Sequence, residues 1–149
     1  MEKMRLVEVS GDLFSCSTDF SLAHCVAADL RMGKGIAIKF RDSFGQVGEL
    51  KRQNVQPGGV AVIKDKNSDR YIYYLVTKTL SYQKPTYGSL ASSLLSMKNH
   101  MISNNVDKLA MPRIGCGLDG LTWNKVKEII NETFQNENVE IVIYNFVPK

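Results

Sequence analysis

Hydrophobic residues cluster in six short segments whose patterns are typical of β-strands. They are residues 4–11, 21–28, 59–65, 70–78, 107–114 and 139–147. Each segment either alternates apolar with polar side chains or forms a short apolar run, and both patterns predict a strand. The third and fourth segments are separated only by the polar connector 66–69, which predicts a hairpin turn.

Three longer segments repeat apolar residues at the spacing of an amphipathic helix. They are residues 33–45, 85–105 and 121–137. The predicted core faces carry Ile36, Ala37, Phe40 and Phe44 in the first, Leu90, Leu94, Met97 and Met101 in the second, and Val126, Ile129, Ile130 and Phe134 in the third. Gly45 is a predicted helix stop and Thr122 a candidate N-cap. Strands mixed with crossover helices predict an α/β fold, in which a largely buried sheet has helices on both faces.

Length and composition fit one globular domain that spans residues 1–149. Apolar residues make up 44% of the chain and charged residues 23%, which are ordinary values for a folded domain of this size. The formal net charge of +4 allows an anionic ligand. Because acidic and basic residues are interspersed, this excess is too mild to indicate nucleic acid by itself.

Cysteine and histidine usage gives little support for a disulfide framework or a zinc site. Cys16, Cys25 and Cys116 are odd in number and lack metal-ligand spacing, so we predict no metal and no cofactor. The amino-terminal residues carry charges where a signal peptide needs an apolar core, and no apolar run approaches the ~18–20 residues of a membrane span. We therefore expect a soluble nuclear or cytoplasmic protein without a membrane partner, and a monomer by default.

Two glycine-rich segments follow predicted strands, where ligands bind in open α/β sheets. The segment "GCGLDG" (115–120) offers successive backbone N–H groups ahead of a helix. It is either an anion-binding concavity or an ordinary strand-to-helix turn. The segment "MGKGIA" (32–37) is not a P-loop, because Lys34 is followed by Gly35 and the upstream glycine is missing. A second backbone wall for a ligand remains open there.

Several single residues near these loops are candidates for chemistry. Lys78 ends an almost wholly apolar and aromatic strand, so it is either an exit to solvent or a partly desolvated amine able to attack a carbonyl carbon. Asp119 is either a turn residue or a general acid/base, and Asp12 is either a turn residue or an acceptor for an amino group. His24 is expected to be a hydrogen-bonded core histidine. Cys116 lacks the obvious basic partner that a cysteine nucleophile would need.

Five segments taken together resemble the macrodomain family. They are "GDLF" (11–14), "LAHCVAADLRMGKGIA" (22–37), "YIYYLVTK" (71–78), "KPTY" (84–87) and "MPRIGCGLD" (111–119). The resemblance runs in one collinear order over nearly the whole chain, from Val7 to Phe146. It implies a three-layer α/β/α macrodomain with a mixed, mostly parallel sheet of about six strands, and ADP-ribose lying across the strand ends.

By this resemblance, the adenine is contacted by Asp12 and Leu13 and bordered by Phe146, while the loops 33–36 and 113–119 embrace the diphosphate and the distal ribose. The implied ADP-ribose-binding residues are Asp12, Leu13, Gly33, Lys34, Gly35, Ile36, Thr77, Arg113, Ile114, Gly115, Cys116, Gly117, Leu118 and Phe146. Lys78 takes the position of a catalytic lysine that attacks C1 of the distal ribose and forms a transient lysyl adduct. Asp119 takes the position of the acid/base that resolves the adduct.

The implied activity is hydrolysis of ADP-ribosyl esters, which removes mono-ADP-ribose from glutamate and aspartate side chains of proteins. O-acyl-ADP-ribose and ADP-ribosylated nucleic acid are further implied substrates, and the DNA damage response is the implied setting. The better-known hydrolytic macrodomains have an asparagine-rich motif where this chain has "CVAADLRMG", and its absence favours the lysine route.

Two alternatives to the hydrolase differ in what they require of the chain. A module that reads ADP-ribose without cleaving it needs neither Lys78 nor Asp119. An RNA- or nucleotide-binding domain would lose affinity steeply with added salt.

Overall fold

The structure, a computed structural model, describes residues 4–146. Within these residues the strands are β1 (Arg5–Ser10), β2 (Ser21–Ala27), β3 (Gly59–Lys64), β4 (Tyr71–Lys78), β5 (Lys108–Met111) and β6 (Glu140–Asn145). The helices are α1 (Ile36–Phe44), α2 (Val47–Arg52), α3 (Tyr87–Ser103) and α4 (Trp123–Phe134). Two single-turn 3₁₀ helices, Leu13–Ser15 and Gly117–Asp119, lie in the loops after β1 and β5.

The strands of the sheet lie in the order β1-β6-β5-β2-β4-β3. Every neighbouring pair is parallel except β3 and β4, which form the predicted antiparallel hairpin. In the hairpin connector the Asp65 carboxylate accepts a hydrogen bond from the Asn67 N–H at 3.0 Å, a turn stabilised by its own side chain. The prediction of a mixed, mostly parallel sheet of about six strands is therefore confirmed.

Helices cover both faces of the sheet. On one face α3 and α4 bury Leu94 and Ile130 against strand residues such as Ile141. On the other face α1 and α2 bury Phe40 and Leu50. Burial on both sides is the reason that the central strands have nearly continuous apolar sequences, and it confirms the three-layer α/β/α arrangement.

Helix α2 is absent from the sequence prediction. It has six residues, of which Leu50 alone is buried, so it contains too few apolar positions to show a helical period. Gly45, the predicted stop of α1, has a φ of 56°, and the next residue, Gln46, also has a positive φ, of 54°. Two consecutive residues outside the helical region end α1 and let the chain start again in a new direction.

Several predicted segments extend beyond the observed elements near the loops. Helix α1 begins at Ile36 because Gly35 has a φ of 60°, and β5 ends at Met111, directly before a proline. Thr122 occupies the N-cap of α4 as predicted, but its side chain makes no capping hydrogen bond. The last predicted strand ends at Val147, which lies outside the described residues.

His24 lies in the core as predicted, but the expected hydrogen bonding is wrong. Its ring stacks on Phe40 with centroids 3.7 Å apart and meets Tyr74 edge-on at 4.9 Å. Neither ring nitrogen has a hydrogen-bond partner among residues 4–146. Burial lowers the pKa of His24 to about 3, so the ring is neutral near pH 7 and is held by stacking.

Candidate active site

The loops that follow β1, β2, β4 and β5 lie at one edge of the sheet. These four strands run parallel, so their carboxyl ends share that edge, as predicted. The two glycine-rich loops meet there, because a β-carbon added to Gly35 would lie 3.7 Å from Cδ1 of Leu118. The end of β4 reaches the same place through a contact between Lys78 and Asp119.

Lys78 and Asp119 form an ion pair although they are far apart in sequence. The Lys78 Nζ donates a hydrogen bond to Asp119 Oδ1 at 2.7 Å, a typical length for a charge-assisted bond. The side chains are 13% and 18% exposed, so the pair is mostly shielded from water but open to a ligand. The amine lies next to a carboxylate at the carboxyl ends of the parallel strands, where ligands bind in open α/β sheets. This is the geometry of a nucleophile beside an acid/base.

A β-bulge in β4 sets the direction in which Lys78 points. Val26 of β2 pairs with Val76, whereas Ala27 pairs with Lys78, so Thr77 is an extra residue in β4. A single inserted residue turns every following side chain to the other face of the sheet, and bulges beside active sites re-aim side chains in this way.

The turn that carries Asp119 depends on three glycines. Gly115, Gly117 and Gly120 have φ values of 73°, 71° and 80°, a region that other residues adopt only with strain. A β-carbon on Gly115 would also lie 2.8 Å from Cδ1 of Leu121, too close for an unchanged structure. This glycine spacing therefore has a structural reason: it closes a tight loop between β5 and α4.

Lys84, in the loop between β4 and α3, also contributes to the site and escaped the sequence prediction of site residues. Its Nζ donates a hydrogen bond to the main-chain carbonyl of Leu118, the residue before Asp119. The contact ties the loop that follows Lys78 to the turn that carries Asp119. The motif "KPTY" contains Lys84, but no pattern within the sequence indicates where its side chain goes.

The loop between β2 and α1 combines buried and exposed residues. Leu30 and Met32 have positive φ values of 53° and 45° and nevertheless bury their side chains in the core. Burial of both side chains offsets the backbone strain and fixes the loop. Gly33, Lys34 and Gly35 follow as an exposed segment, in agreement with a backbone wall that a ligand can approach.

Asp12, Leu13 and Phe146 belong to the part of the edge formed by β1 and β6. Asp12 caps a 3₁₀ turn, since its Oδ1 accepts from the Phe14 N–H at 3.0 Å, and its Oδ2 lies 3.6 Å from Lys39 Nζ. Leu13 is buried in the core, whereas Phe146 is 63% exposed. The predicted adenine contact of Leu13 would thus come from its main chain.

Three of the predicted ligand-binding side chains are either engaged in other contacts or buried. The Arg113 guanidinium lies 3.5 Å from the Glu8 carboxylate and over the Trp123 ring. Ile114 is buried in the core. Thr77 is also buried, and its hydroxyl has no partner within residues 4–146. What the loop 113–117 offers to a ligand is therefore mainly its backbone, and a Thr77 contact stays a prediction.

The cysteines near the site are protonated thiols. Burial raises the pKa of Cys116, and burial raises the pKa of Cys25 to about 12. Because the thiolate is the reactive form, neither cysteine has the properties of a nucleophile at neutral pH.

Residues 4–146 contain no group of three or more His, Cys, Asp and Glu side chains able to hold a metal ion. None of the helices in that range combines the length and apolar character that crossing a bilayer requires.

Comparison with known proteins gives consistent matches. The family model "Macro domain" matches residues 23–130. Human ADP-ribose glycohydrolase OARD1 is 49% identical over 143 residues, which cover 96% of this chain and 93% of that protein.

Solved structures match over the same extent. The macrodomain of Thermus aquaticus DarG superposes with a TM-score of 0.84 at 28% identity, covering 95% of this chain and 98% of that one. Thermosipho africanus DarTG in complex with ADP-ribose matches with a TM-score of 0.80 at 22% identity, covering 95% of this chain and 41% of that one.

Proposed function

The chain belongs to the macro domain family, and we propose that it is an ADP-ribose glycohydrolase that removes mono-ADP-ribose from aspartate and glutamate side chains of proteins. The relative OARD1, an ADP-ribose glycohydrolase by name, matches over nearly the full length of both chains. The observation that carries the proposal is the Lys78–Asp119 ion pair at the ligand-binding edge of the sheet. A module that only reads ADP-ribose has no use for a shielded amine–carboxylate pair at this place.

Backbone groups supply most of the proposed ADP-ribose site. The exposed segment 33–35 faces the Leu118 turn, and N–H groups of the two loops would bind the diphosphate between them. Asp12 and the exposed Phe146 ring would meet the adenine at the β1–β6 end. This arrangement directs the distal ribose toward Lys78 and Asp119.

The proposed reaction begins with proton transfer within the ion pair. The ammonium of Lys78 is not nucleophilic, and the Asp119 carboxylate, 2.7 Å away, can accept its proton. The free amine attacks C1 of the distal ribose, a C1–N bond forms, and the C1–O bond to the substrate carboxyl breaks. The electron pair leaves with the carboxylate of the protein side chain, which takes up the proton held by Asp119, so that Asp119 is a carboxylate again.

Hydrolysis of the lysyl adduct completes the proposed cycle. Asp119 takes a proton from a water molecule that attacks C1, the C1–N bond breaks, and Lys78 recovers its proton as ADP-ribose is released. The partial exposure of Asp119 supports this step, because water must reach it. Esters on the same ribose, as in O-acyl-ADP-ribose, and ADP-ribosylated nucleic acid are proposed as further substrates of this site.

Replacement of Lys78 tests the proposal. Lys78→Arg keeps a cation beside Asp119, but a guanidinium cannot be deprotonated in a protein and so cannot attack. With a glutamate-linked mono-ADP-ribosylated protein as substrate, we expect turnover to fall by on the order of 10²-fold or more while ADP-ribose still binds. Lys98→Ala, which removes a remote lysine paired with Glu137, is the control and should retain full activity.

Two outcomes of this experiment decide between mechanisms. Unchanged hydrolysis by Lys78→Arg would contradict the covalent route. Mass spectrometry of Asp119→Ala after long incubation with substrate should detect one added ADP-ribosyl unit on Lys78. In this variant solvent water takes the lysine proton, so the adduct forms slowly, and it accumulates because no carboxylate activates the water that resolves it. Binding of ADP-ribose without hydrolysis by the wild-type chain would favour the reader alternative.

A further inference from the structure

We infer that Ser89 and Ser93 are positioning residues for Lys78, because their hydroxyl groups hold the bulge of β4 from which the lysine projects. The inference rests on the proposed role of Lys78 as the nucleophile. It concerns the main chain beneath Lys78, which none of the predicted site residues addresses.

A stripe of serines runs along one face of α3. The four serines are Ser89, Ser92, Ser93 and Ser96, at spacings of i, i+3, i+4 and i+7. Every one of the four hydroxyls lies within hydrogen-bond distance of a main-chain carbonyl outside the helix. Helical serines commonly bond back to a carbonyl of their own helix. Here the serine hydroxyls bind other segments instead, which indicates that they hold the main chain of those segments in place.

Two serines of the stripe bind the bulged end of β4. Ser93 is fully buried and donates to the Val76 carbonyl at 2.9 Å. Ser89 donates to the Thr77 carbonyl at 2.7 Å, a shorter contact than the 3.1 Å that separates its hydroxyl from the Thr86 carbonyl. A hydroxyl has one proton to donate, so Thr77 is the favoured acceptor. The two serines therefore bind consecutive carbonyls at the bulge.

The main-chain carbonyl of Thr77 needs a side-chain donor, because no residue of a neighbouring strand pairs with Thr77. Strand β2 pairs with Val76 and then with Lys78, and it skips the residue between them. The register of β3 ends at Val76. Ser89 thus takes the place that a neighbouring strand occupies elsewhere in the sheet. It is itself fixed, since its hydroxyl also accepts from the Thr86 N–H at 3.2 Å in the capping box of α3.

The bulge decides which way Lys78 faces, so the bonds that hold it act on the geometry of attack. The Ala28 and Asp29 N–H groups also bind the carbonyls of Lys78 and Thr79, so the end of β4 stays attached without the serines. The Thr77 carbonyl then loses its hydrogen bond, the bulge can relax, and the amine moves relative to Asp119 and to C1 of the ribose. A displacement of about 1 Å can lower a rate by about 10²-fold. The serines lie beneath the strand and outside the two glycine-rich loops, so ADP-ribose affinity should change little.

The test compares alanine substitutions along the stripe in the full chain. Ser89→Ala and Ser93→Ala each remove a bond to β4, whereas Ser92→Ala removes an equivalent 2.8 Å bond from the same helix to the Gly58 carbonyl. With glutamate-linked mono-ADP-ribosylated protein, we expect kcat of the first two variants to fall by about 10-fold or more. We expect the ADP-ribose Kd, from calorimetry, to stay within about 3-fold, and Ser92→Ala to keep wild-type kcat.

Further variants keep the inference open to refutation. Ser89→Thr retains a hydroxyl and should recover most of kcat. Equal kcat for Ser89→Ala and Ser92→Ala overturns the inference, as does an effect on KM alone or a loss that Ser89→Thr does not relieve. Should the buried Ser93→Ala fail to fold, the half-buried Ser89 position still decides the question.

Lys78→Arg, measured in the same series, separates this inference from the proposed function. A fully active Lys78→Arg refutes the nucleophile, and the positioning role falls with it. An inactive Lys78→Arg combined with a fully active Ser89→Ala refutes only the positioning role.

Discussion

Strand β4 carries an ion pair near each end, and the two pairs differ in how completely the carboxylate is satisfied. Near the amino end, Arg70 Nε lies 3.0 Å from Asp65 Oδ2, and at the carboxyl end Lys78 Nζ lies 2.7 Å from Asp119 Oδ1. The side chains of the first pair are 10% and 7% exposed, and those of the second are also mostly shielded. Shielding from water therefore does not distinguish the pair in the hairpin from the pair that we propose to be catalytic.

The carboxylate of Asp65 is almost fully used. It accepts hydrogen bonds from the Asn67 N–H, the Ser68 hydroxyl and Arg70, and a carboxylate has about four lone-pair sites. Burial raises the pKa of Asp65, but the bonds from Asn67, Arg70 and Ser68 outweigh it, so the pKa lies below its ordinary value. Both partners of this pair stay charged, the carboxylate has little capacity left for a further donor, and the pair stabilises the β3–β4 hairpin.

The carboxylate of Asp119 has unused capacity. Among residues 4–146 it accepts one hydrogen bond, from Lys78. Its remaining lone pairs are available to water or substrate, and lysine, unlike arginine, can give up its proton. Spare acceptor capacity and a cation that can lose its proton therefore set the Lys78–Asp119 pair apart from the Asp65–Arg70 pair.

The largest expected effect is the loss of stability when Asp65 is replaced by asparagine. The amide would place an NH₂ group among donors and would leave Arg70 charged without a counter-ion. Losing one partner of a buried pair costs about 3 kcal/mol, which denaturant unfolding would measure. Turnover per folded molecule should be unchanged, because the seven-residue step from Tyr71 to Lys78 separates the ends of β4 by about 23 Å.

The exposed Asp69, in the same connector, provides the matched control for this prediction. Asp69→Asn should change the free energy of unfolding by no more than about 0.5 kcal/mol, as surface substitutions usually do. A cost at Asp65 that is as small as the cost at Asp69 would show that the saturated pair contributes little.

The same substitution at Asp119 should have the opposite profile. In Asp119→Asn the amide carbonyl can still accept from Lys78, and its NH₂ group can face the open side, so we expect a change in stability within about 1 kcal/mol. Turnover should fall by about 10²-fold, equivalent to about 2.7 kcal/mol of transition-state stabilisation, because no carboxylate remains to move protons. A destabilisation as large as that of Asp65→Asn would remove the distinction between the two ends of β4.

Much of the fold follows from the sequence because its causes are local. Burial requires apolar residues at periodic positions in α3 and α4 and in unbroken runs in the central strands. Such patterns can be read directly from the sequence. Helix α2 escaped because a six-residue element with one buried side chain has no period to detect. The position of Gly45 predicts where α1 stops, but the left-handed φ of Gln46 that starts α2 has no equivalent signal.

The site was predictable to the extent that it lies in motifs. Lys78 and Asp119 stood out by position, and the structure brings them together. Arg113 pairs with Glu8, and Ile114 is buried in the core. Both contacts involve residues far apart in the chain, so the spacing of residues within a motif does not predict them. The serine stripe of α3 was visible as a polar repeat at helical spacing within "SLASSLLS" (89–96). Its target, the bulge in β4, is a property of strand register and is not visible in the sequence.

His24 extends the comparison to a buried ionisable group without a hydrogen-bond partner, and it gives the smallest of the expected effects. Its pKa is about 3 in the folded state, against 6.5 for an unperturbed histidine. The unfolded chain therefore binds the extra proton below pH 6.5, so stability should decline as the pH falls from 6.5 toward 3. The decline approaches about 1.4 kcal/mol per pH unit, or about 2 kcal/mol by pH 5.

His24→Phe should remove this slope, because phenylalanine can keep the stacking on Phe40 but cannot bind a proton. The readout is the difference in unfolding free energy between pH 7 and pH 5, which is insensitive to any constant cost of fitting a larger ring. His100→Gln is the comparison variant: burial also lowers the pKa of His100, so its loss should remove the contribution of His100 and leave the steeper dependence that comes from the fully buried His24. Equal slopes for wild type and His24→Phe between pH 7 and pH 5 would mean that the buried ring finds a partner for its proton. In that case His24 would not differ from Asp65 in whether its charged form is stabilised by hydrogen bonds.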